Sequence, residues 1–521
     1  MSTPILLCTL NARYLHCAFG LRYLYANLGE LQSEARILEF TINQNPRDMA
    51  EAILAHDPQI VGLGVYIWNA QPTRELVSLL KRLRPELKIV LGGPEVSYET
   101  AEQELCQLAD LTVQGEGDTY FRELCHGYLL DGQWPAEKAI RPHLPEVTRL
   151  ALPYSHYSDE DLRHRVLYVE ASRGCPYKCE YCLSSLDKSV RNFPVEGFLA
   201  EMQGLIDRGA RQFKFVDRTF NLSPAISQRI LTFFLERMEL GLFLHFEMVP
   251  DRLPPELRQL ICQFPPGALQ FEVGIQTWNP EVARLVSRRQ DYGRIADNFA
   301  YLREIGNVHV HADLIAGLPG ETPESFARGF DAVAELGPEE IQLGILKRLR
   351  GTPIIRHDQE WAMVYQDRPP YQVLQTRTMT FNALQEIGRF SHFWDQIANS
   401  GNFRQTLILI RELGQHRPAP SFYDEFAELA RFLGDRHPQG HGVALLSIVE
   451  SVWLYLTQQK GISIEKVRPL LAADYTGLVK RDLPRFLRPP ADETPPPSVR
   501  RKQPRPPESA IPRRQQRHLS P

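Results

Sequence analysis

The sequence has no apolar run long enough to cross a membrane, and its first residues, MSTPILLCTLNARYLH, lack the basic start of a signal peptide. We therefore predict a cytoplasmic protein without a membrane partner. An excess of one charge is also missing, because 59 Lys and Arg stand against 63 Asp and Glu, a net charge of -4. This balance argues against a nucleic-acid partner, which would favour a broad basic surface.

The first 135 residues lack another signature, since no GxGxxG motif follows the first apolar run. Its absence argues against NAD or FAD as the ligand of this region. Short apolar runs alternate here with helical patterns, which predicts parallel βαβ units and an open, doubly wound, flavodoxin-like α/β sheet. Taken alone, such a domain could bind a flavin, cobalamin, a phosphorylated signal or nothing. The predicted strands are 5–10, 35–40, 60–67, 88–93 and 111–117.

Ligands of doubly wound sheets bind beyond the carboxyl ends of the strands, so the loops there form the candidate site. The segments GGPEVS and GEGD offer backbone that a flat, bulky ligand can approach closely, because glycine has no side chain. Other strand ends offer aromatic or apolar surface. The candidate binding residues are Tyr14, Leu15, His16, Tyr66, Trp68, Gly92, Gly93, Pro94, Glu95, Gly115, Glu116 and Gly117.

Only three of the eight cysteines are clustered, at Cys175, Cys179 and Cys182. The others, Cys8, Cys17, Cys106, Cys125 and Cys262, are scattered through apolar segments and are expected to be small core residues. A structural zinc site needs four ligands, and no second cysteine pair lies nearby. A 4Fe-4S cluster held by three thiolates would instead leave one iron open to a small molecule.

At this point the segment ASRGCPYKCEYC resembles the radical S-adenosylmethionine (SAM) enzymes, whose CxxxCxxC loop usually has an aromatic residue before its last cysteine, here Tyr181. The resemblance implies that the three cysteines hold a 4Fe-4S cluster and that SAM chelates the open iron. Reductive cleavage of SAM would then give methionine and a 5′-deoxyadenosyl radical. Since the cofactors carry this chemistry, no catalytic side chain is predicted.

The segment VLYVEASRG and the apolar segments after the cysteines predict six strand–helix repeats. Such repeats form a partial (β/α)6 barrel of the TIM type, with its chemistry at the C-terminal rim of the strands. Buried carboxylates at such a rim need partners, which the ammonium and ribose of SAM or neighbouring Lys and Arg side chains would provide. The predicted strands are 166–174, 213–221, 242–251, 269–279, 308–322 and 341–349, and the predicted SAM-binding residues are Tyr181, Asp217, Arg218, Glu247, Glu272, Gln276, Asp313 and Ile315.

One segment departs from the family pattern. Members often carry GxIxGxxG at the fifth strand, whereas DLIAGLPG places Asp313 where the first glycine would be. Ile315 still matches the pattern and is expected near the adenine. The role of Asp313 toward the ribose or the substrate is therefore the least supported of these assignments.

A doubly wound domain followed by such a barrel resembles the cobalamin-binding radical SAM enzymes over residues 1–355. The resemblance implies cobalamin at the strand ends of the first domain, an unknown substrate and an external electron donor of flavodoxin or ferredoxin type. Most characterised branches relay a methyl group, so we predict methylation of an unactivated carbon. The alternatives are ring closure or rearrangement without net methyl transfer and, more remotely, a non-catalytic iron–sulfur sensor.

Cobalamin domains that ligate cobalt from below usually carry DxHxxG after their first strand, but the matching loop here, NARYLHCAFG, lacks that spacing. We therefore expect Tyr14 and Leu15 to cover the lower face of cobalamin, leaving cobalt without a protein ligand. Ligation by His16 is the alternative.

Beyond the barrel the strand pattern stops. Leu384, Ile387, Phe390, Trp394 and Ile397 recur every three or four residues and predict one face of an amphipathic helix, and residues 444–456 predict a second helix. Residues 389–403 resemble an appended helical domain of a poorly characterised branch of the same family. The predicted boundaries are 1–135 for the cobalamin-binding domain, 136–160 for a linker, 161–357 for the barrel, 358–486 for an all-α domain and 487–521 for a disordered, Pro- and Arg-rich tail.

Overall fold

The computed structural model describes residues 3–440, 442–477, 481–488 and 511–519. The chain divides into two compact units that interleave along the sequence. The first unit comprises Met1–Glu236, Lys347–Arg356 and Tyr365–Val373, and the second comprises Arg237–Leu346, His357–Val364 and Leu374–Pro521. Among the described residues, no helix combines the length and apolarity that crossing a bilayer requires.

A six-stranded parallel sheet forms the core of the first unit, with the strand order β2-β1-β3-β4-β5-β6. This order confirms the predicted doubly wound, flavodoxin-like topology. The sheet extends past residue 135 into the predicted linker, because β6 pairs with β5 there. The strands are β1 Ile5–Asn11, β2 Ala35–Thr41, β3 Ile60–Gly64, β4 Lys88–Gly92, β5 Leu111–Val113 and β6 Ala139–Ile140.

Helices cover both faces of this sheet, which explains why the inner strands β1, β3, β4 and β5 are mostly apolar, whereas the edge strand β2 carries Arg36 and Glu39. Leu6, Cys8 and Leu10 pack into a core on one face, and Ile5 and Leu7 pack into a second core on the other. The helices of the first unit are α1 Phe19–Ala26, α2 Pro46–Leu54, α3 Ala70–Leu83, α4 Glu104–Leu108, α5 Tyr120–Asp131, α6 Asp159–His164, α7 Val195–Asp207 and α8 Pro224–Leu235.

Two further strand pairs complete the regular structure of the first unit. Strands β7 Tyr168–Val169 and β10 Gln212–Phe215 pair in parallel. Strands β8 Ser172–Arg173 and β9 Arg191–Asn192 pair antiparallel, and the three clustered cysteines lie in the loop between them.

The second unit contains four parallel, hydrogen-bonded strands, β11 Phe243–Met248, β12 Leu269–Gln276, β13 Val308–Ala316 and β14 Glu340–Ile345. Each of the six predicted barrel segments thus contains a strand. Helices α9 Pro255–Ile261, α10 Pro280–Leu285, α11 Tyr292–Ile305 and α12 Pro323–Leu336 connect these strands, and β15 Val364–Tyr365 and β16 Val373–Gln375 follow them.

Short 3-10 helices lie at Gly29–Glu34, Pro94–Val96, Thr100–Glu102, Val147–Arg149, Tyr154–His156, Leu183–Leu186, Phe220–Leu222, Met238–Leu240, Pro353–His357 and Arg485–Leu487.

A helical region follows from Phe381 and confirms the prediction of a helical C-terminal part of the chain. The predicted start of an all-α domain at residue 358 is wrong, because strands β15 and β16 lie beyond that residue. All five apolar side chains predicted to share a helix face are buried in α13. The second predicted helix is also present, as α16 and a π-helical turn at Tyr455–Gln459. The helices are α13 Phe381–Ile397, α14 Arg404–Gln415, α15 Phe422–Arg436, α16 Leu445–Leu454 and α17 Ile464–Thr476.

The prediction of a disordered tail is wrong for one segment. Residues Arg513–Leu519 form a short helix, α18, within the second unit. Arg514 makes an ion pair with Glu340 at 2.7 Å, and the His518 ring lies 5.2 Å from that of His309. The rest of the predicted tail, apart from Leu487, Arg488 and residues 511–519, lies outside the described residues.

The buried side chain of Asp474 on α17 provides a test of the helical region. Its carboxylate accepts hydrogen bonds from the backbone N–H groups of Gln405 and Thr406 at 2.9 and 2.8 Å, at the first turn of α14. We expect Asp474→Ala to lower the free energy of unfolding by about 2 kcal/mol, because these amides lose their acceptor. Urea denaturation followed by circular dichroism measures this loss. Glu465→Ala, on the exposed surface of the same helix, should change little, and an equal loss in both variants would contradict the assignment.

Candidate functional site

The cysteine loop is closed at its base by the β8–β9 pair, in which Arg173 lies opposite Arg191. The Cys175 amide donates to the Asp187 carbonyl at 3.1 Å, across the same loop. Gly174 starts the loop with φ = 92°, and a Cβ atom there would lie 1.8 Å from the Ser189 carbonyl oxygen. Only glycine fits this position, so the sequence Arg-Gly-Cys is required by the way the loop closes.

The thiols of the loop are close enough to influence one another. Burial raises the pKa of the Cys175 thiol, a backbone hydrogen bond from Tyr177 lowers it, and Cys182 and Cys179 raise it further. Cys175 and Cys179 are buried, whereas Cys182 is half-buried. Within the described ranges, no three His, Cys, Asp or Glu side chains are placed to hold a single metal ion. Three thiolates on one loop fit a cluster instead, because each can bind a different iron.

The other five cysteines are also free thiols. Cys8, Cys17, Cys106 and Cys125 are buried, as predicted for core residues. Cys262 is exposed, so the core assignment is wrong for this residue. It follows Ile261, the last residue of α9, and its own side chain lies on the outside of the helix end.

Asp217, a predicted SAM ligand, is buried directly behind the cysteine loop. Its carboxylate accepts hydrogen bonds from the Ala171 amide at 3.0 Å and from the Ser172 hydroxyl at 2.6 Å. Burial raises its pKa to about 6, although these donors oppose the shift. The contacts give Asp217 a role in holding the strand that leads to Cys175, and direct binding of SAM by Asp217 stays a prediction.

An ionic cluster joins the base of the cysteine loop to the end of β5. The Arg173 guanidinium donates to Glu116 at 2.9 Å and to both oxygens of Asp118 at 3.0 and 3.2 Å. It also donates to Glu170 at 2.9 Å. Arg191 donates to the same Glu116 carboxylate at 3.2 Å. Glu116, predicted to bind cobalamin, thus has its carboxylate between two arginines.

A cavity with an empty volume of about 800 Å³ lies beside this ionic cluster, at the strand ends of the first sheet. Its walls are largely apolar, and glycines from three successive strand ends line it. A Cβ atom at Gly62 would lie 3.1 Å from the Phe121 ring, so glycine lets this ring pack closely against β3, whereas a Cβ atom at Gly92 or Gly115 would meet no atom closer than 3.8 Å. The predicted residues Tyr66, Gly92, Gly93, Gly115, Glu116 and Gly117 all line the cavity, together with Gly64, Asp118 and Arg173.

Glu95 has a different environment from the one predicted. Its buried carboxylate accepts hydrogen bonds from the Tyr371 hydroxyl at 2.6 Å and from Arg350 at 3.2 Å. Burial raises its pKa, and these two donors oppose the shift. Glu95 therefore holds Arg350 and Tyr371, from the two downstream segments of the first unit, against the loop after β4. The neighbouring Gly93 has φ = 105°, which favours glycine.

The predicted residues of the first loop are more exposed. Tyr14, Leu15 and Trp68 are about half exposed, at 52%, 48% and 46%. The Trp68 ring stacks on Tyr66 with centroids 4.5 Å apart. Nδ1 of His16 lies 2.6 Å from the Tyr168 hydroxyl, and burial together with Lys214, Arg13 and Arg165 lowers its pKa. These exposed apolar side chains offer a surface to a large ligand.

The remaining predicted SAM residues divide between the two units. Tyr181, Arg218 and Asp217 belong to the first unit. In the second, Glu247 is in register with Glu272, and Glu272 with His311. Side chains alternate along strands, so Glu247, Glu272, Asp313 and Ile315 lie on one face of the sheet. Gln276 ends β12 with φ = 71°, at a register shift between Gly274 and Gln276.

Sequence reasoning missed several residues that the structure places at these sites. His245 approaches Glu272 at 2.9 Å, and His311 approaches Asp313 at 3.5 Å. Arg173, Arg191, Glu170 and Asp118 form the ionic cluster. One signal could have identified Arg173, since it stands two residues before Cys175 in a segment predicted to be buried, where an arginine needs carboxylate partners.

The fold and the site together define a protein with two cofactor-binding modules, a doubly wound domain with a glycine-lined cavity and a parallel-strand module with a three-cysteine loop. Family models match both modules. The B12 binding domain matches residues 5–125, and the radical SAM superfamily matches residues 169–332. The chain is therefore a cobalamin-binding radical SAM protein. These matches confirm the predicted fold classes and the predicted cofactors, a 4Fe-4S cluster, SAM and cobalamin. A protein family of unknown function matches residues 359–502.

Curated relatives point to the same class. The chain is 25% identical to 2-(S-pantetheinyl)-carbapenam-3-carboxylate methyltransferase of Streptantibioticus cattleyicolor, over 56% of this chain and 47% of the relative. It is 24% identical to the cobalamin-dependent radical SAM methyltransferase TokK of Streptomyces tokunonensis, over 58% and 48%. The chain thus spans about half the length of these two curated relatives.

Solved structures share the fold. The radical SAM methyltransferase TsrM from Kitasatospora setae, determined with tryptophan and a SAM analogue, superposes with a TM-score of 0.56. It is 20% identical and covers 70% of this chain and 77% of its own. The cobalamin-dependent SAM radical enzyme OxsB, with aqua-cobalamin and SAM bound, has a TM-score of 0.58 at 12% identity, covering 92% and 85%.

Gly174 provides a test of the cysteine loop that does not depend on a substrate. We expect Gly174→Ala to prevent closure of the loop, because the added methyl group would overlap the Ser189 carbonyl, and iron bound after anaerobic reconstitution should fall well below the wild-type amount. Colorimetric iron and sulfide analysis measures it. Gly132→Ala is the matched control, since Gly132 also has a positive φ, 66°, but no atom within 4 Å of the added group. Full iron loading of Gly174→Ala would contradict the assignment.

Proposed function

We propose that this protein is a cobalamin-dependent radical SAM methyltransferase that methylates an unactivated carbon of its substrate. The observation that carries this proposal is the presence, in one compact unit, of a three-thiol loop and a glycine-lined apolar cavity. Each feature alone would fit many proteins. The two features together favour a protein that binds both an iron–sulfur cluster and a large flat cofactor.

When bound, the cluster supplies the electron for reductive cleavage of SAM, and cobalamin supplies a transferable methyl group. The protein's own residues prepare the sites for these groups. Cys175, Cys179 and Cys182 present three thiolates, and Asp217 fixes the strand that leads to them. Two of the three thiols are buried, which limits contact of the site with water.

The cavity beneath the strand ends fits a flat aromatic group, and the benzimidazole in the nucleotide tail of cobalamin is such a group. Backbone at Gly92, Gly93, Gly115 and Gly117 would approach it closely. The half-exposed side chains of Tyr14, Leu15 and Trp68 would then cover the corrin ring from the protein side. In this arrangement His16 would keep the Tyr168 hydroxyl as its partner and would not be needed to hold cobalamin.

SAM would bind on the acidic face of the strands β11–β13. We propose that Glu247, Glu272, Gln276, Asp313 and Ile315, with Tyr181 and Arg218, bind its ammonium, ribose and adenine groups. The shared face of Glu247, Glu272 and Asp313 supports this role, since SAM brings positive charge. His245 and His311 lie next to these acids and would orient them.

Radical SAM enzymes need a substrate and a reductant. We propose a flavodoxin or ferredoxin as the reductant, because the cluster requires a single electron of low potential. We also propose that the protein works in the cytoplasm, where its eight free thiols and an oxygen-sensitive cluster would be kept reduced.

The reaction products distinguish the proposed activity from its alternatives. After anaerobic reconstitution with iron, sulfide and cobalamin, and with a chemical reductant, we expect both 5′-deoxyadenosine and S-adenosylhomocysteine by liquid chromatography and mass spectrometry. Deoxyadenosine alone would contradict methyl transfer and favour ring closure or rearrangement. The absence of both products would contradict the assignment as a radical SAM enzyme and would favour the iron–sulfur sensor.

Replacement of one cysteine tests the cluster site within the same assay. We expect Cys179→Ala to abolish SAM cleavage, because the remaining two thiolates cannot hold the cluster with one open iron. Cys262→Ala, which removes an exposed thiol outside the loop, is the control and should cleave SAM at the wild-type rate. Continued cleavage by Cys179→Ala would refute the site.

The cobalt ligand is tested by spectroscopy. We expect His16→Ala to leave the electron paramagnetic resonance spectrum of bound cob(II)alamin unchanged, because no nitrogen of the protein ligates cobalt in the proposed arrangement. A lost or altered nitrogen splitting in the variant would show that His16 is the lower ligand. Tyr168→Phe, which removes only the hydroxyl partner of His16, is the companion variant.

A further inference from the structure

The ionic cluster of Arg173, Arg191, Glu116, Asp118 and Glu170 occupies a position that neither cofactor site explains by itself. Arg173 lies two residues before Cys175, at the base of the cysteine loop. The same side chain lines the cavity at the strand ends of the first sheet. One guanidinium therefore belongs to both candidate cofactor sites.

The geometry favours a rigid connection through this side chain. Only 13% of the Arg173 side chain is exposed, and it makes a two-point contact with Asp118, which is 8% exposed. The guanidinium also lies over the Tyr23 ring, 4.6 Å from its centroid. Planar, two-point pairing and ring contact are properties that lysine cannot reproduce.

Glu116 lies between Gly115 and Gly117, and Gly115 has φ = 80°, which favours glycine. The backbone around Glu116 is held by hydrogen bonds from the Gly115 amide to the Ser97 hydroxyl and from the Phe121 amide to the Gly117 carbonyl. The two arginines fix the position of the Glu116 carboxylate. An event that orders the cysteine loop therefore also orders one wall of the cavity, and the reverse holds as well.

We propose that Arg173 is a positioning residue that couples the two cofactor sites, so that a cluster on the cysteine loop increases the affinity of the cavity for cobalamin. The inference rests on the proposed function, because it assumes that both cofactors bind where proposed. The first cofactor to bind orders the shared ionic cluster at a cost in conformational entropy, and this cost is smaller for the second cofactor. Thermodynamic linkage makes the effect reciprocal.

The test compares cobalamin affinity with and without the cluster. Hydroxocobalamin is equilibrated by anaerobic dialysis with chelator-treated protein and with protein carrying the oxidised cluster, and its absorbance gives Kd for each form. For the wild type we expect binding to be tighter with the cluster by on the order of tenfold. For Arg173→Lys, which keeps the charge but loses the two-point contact, the ratio should approach one.

Arg417→Lys is the matched control, because Arg417 also bridges two carboxylates, Glu425 and Glu428, but belongs to the helical region. Its ratio of affinities should equal that of the wild type. A purely structural Arg173 would lower the melting temperature on substitution and leave the ratio unchanged. Iron retention against a chelator, with and without cobalamin, measures the reciprocal effect.

The outcomes are distinguishable from failure of the proposed function. A wild-type ratio of one, or a ratio unchanged in Arg173→Lys, overturns the coupling while cobalamin binding itself stands. Absence of cobalamin binding in any form overturns the proposed function. Should Arg173→Lys fail to fold by circular dichroism, Asp118→Asn removes the opposite side of the same two-point contact, and its ratio decides in the same way.

Discussion

Pairing of buried charge is the constraint on which the first unit depends. A guanidinium withdrawn from water is costly unless carboxylates surround it, and Arg173 meets this requirement with Glu116, Asp118 and Glu170. Because these carboxylates come from the end of β5 and from the strand before the cysteines, the pairing fixes two separate stretches of chain. The positions of the thiols and of the glycine-lined cavity both follow from it.

Most of the fold could be predicted from the sequence because parallel strands buried on both faces are continuously apolar. Leu6 and Cys8 in β1 belong to a run of this kind, whereas Leu269 and Phe271 in β12 alternate with polar residues. Strand β6 has only two residues, too few to form a pattern, so its addition to the first sheet was missed. The helix at Arg513–Leu519 was missed for a different reason. Its sequence is basic and polar, and it is held by partners distant in sequence, such as Glu340.

The candidate site was predicted less completely, for a physical reason. The sequence places Glu95, Glu116 and Asp217 at strand ends, but the direction of a carboxylate depends on which cations and amides lie nearby in space. Glu95 contacts Arg350, a residue 255 positions away, and Asp217 contacts the Ala171 amide. The glycines of the cavity could be predicted, because the lack of a side chain, which lets a ligand approach the backbone, is evident from the sequence alone. The sequence does not distinguish a carboxylate that pairs with groups of the protein from one that binds a ligand.

The contacts that Arg350 and Tyr371 make with Glu95 have a consequence for expressing fragments of the protein. The first unit is not one continuous stretch of chain, because Arg348, Arg350 and Tyr371 reach Glu95 and Glu99 from more than two hundred residues downstream. A fragment that stops at Glu236 would contain every residue of the cysteine loop and the cavity, yet it would leave a deeply enclosed carboxylate without its cation. A fragment made to contain the first unit therefore has to include the downstream residues around Tyr371, which belong to the same compact unit.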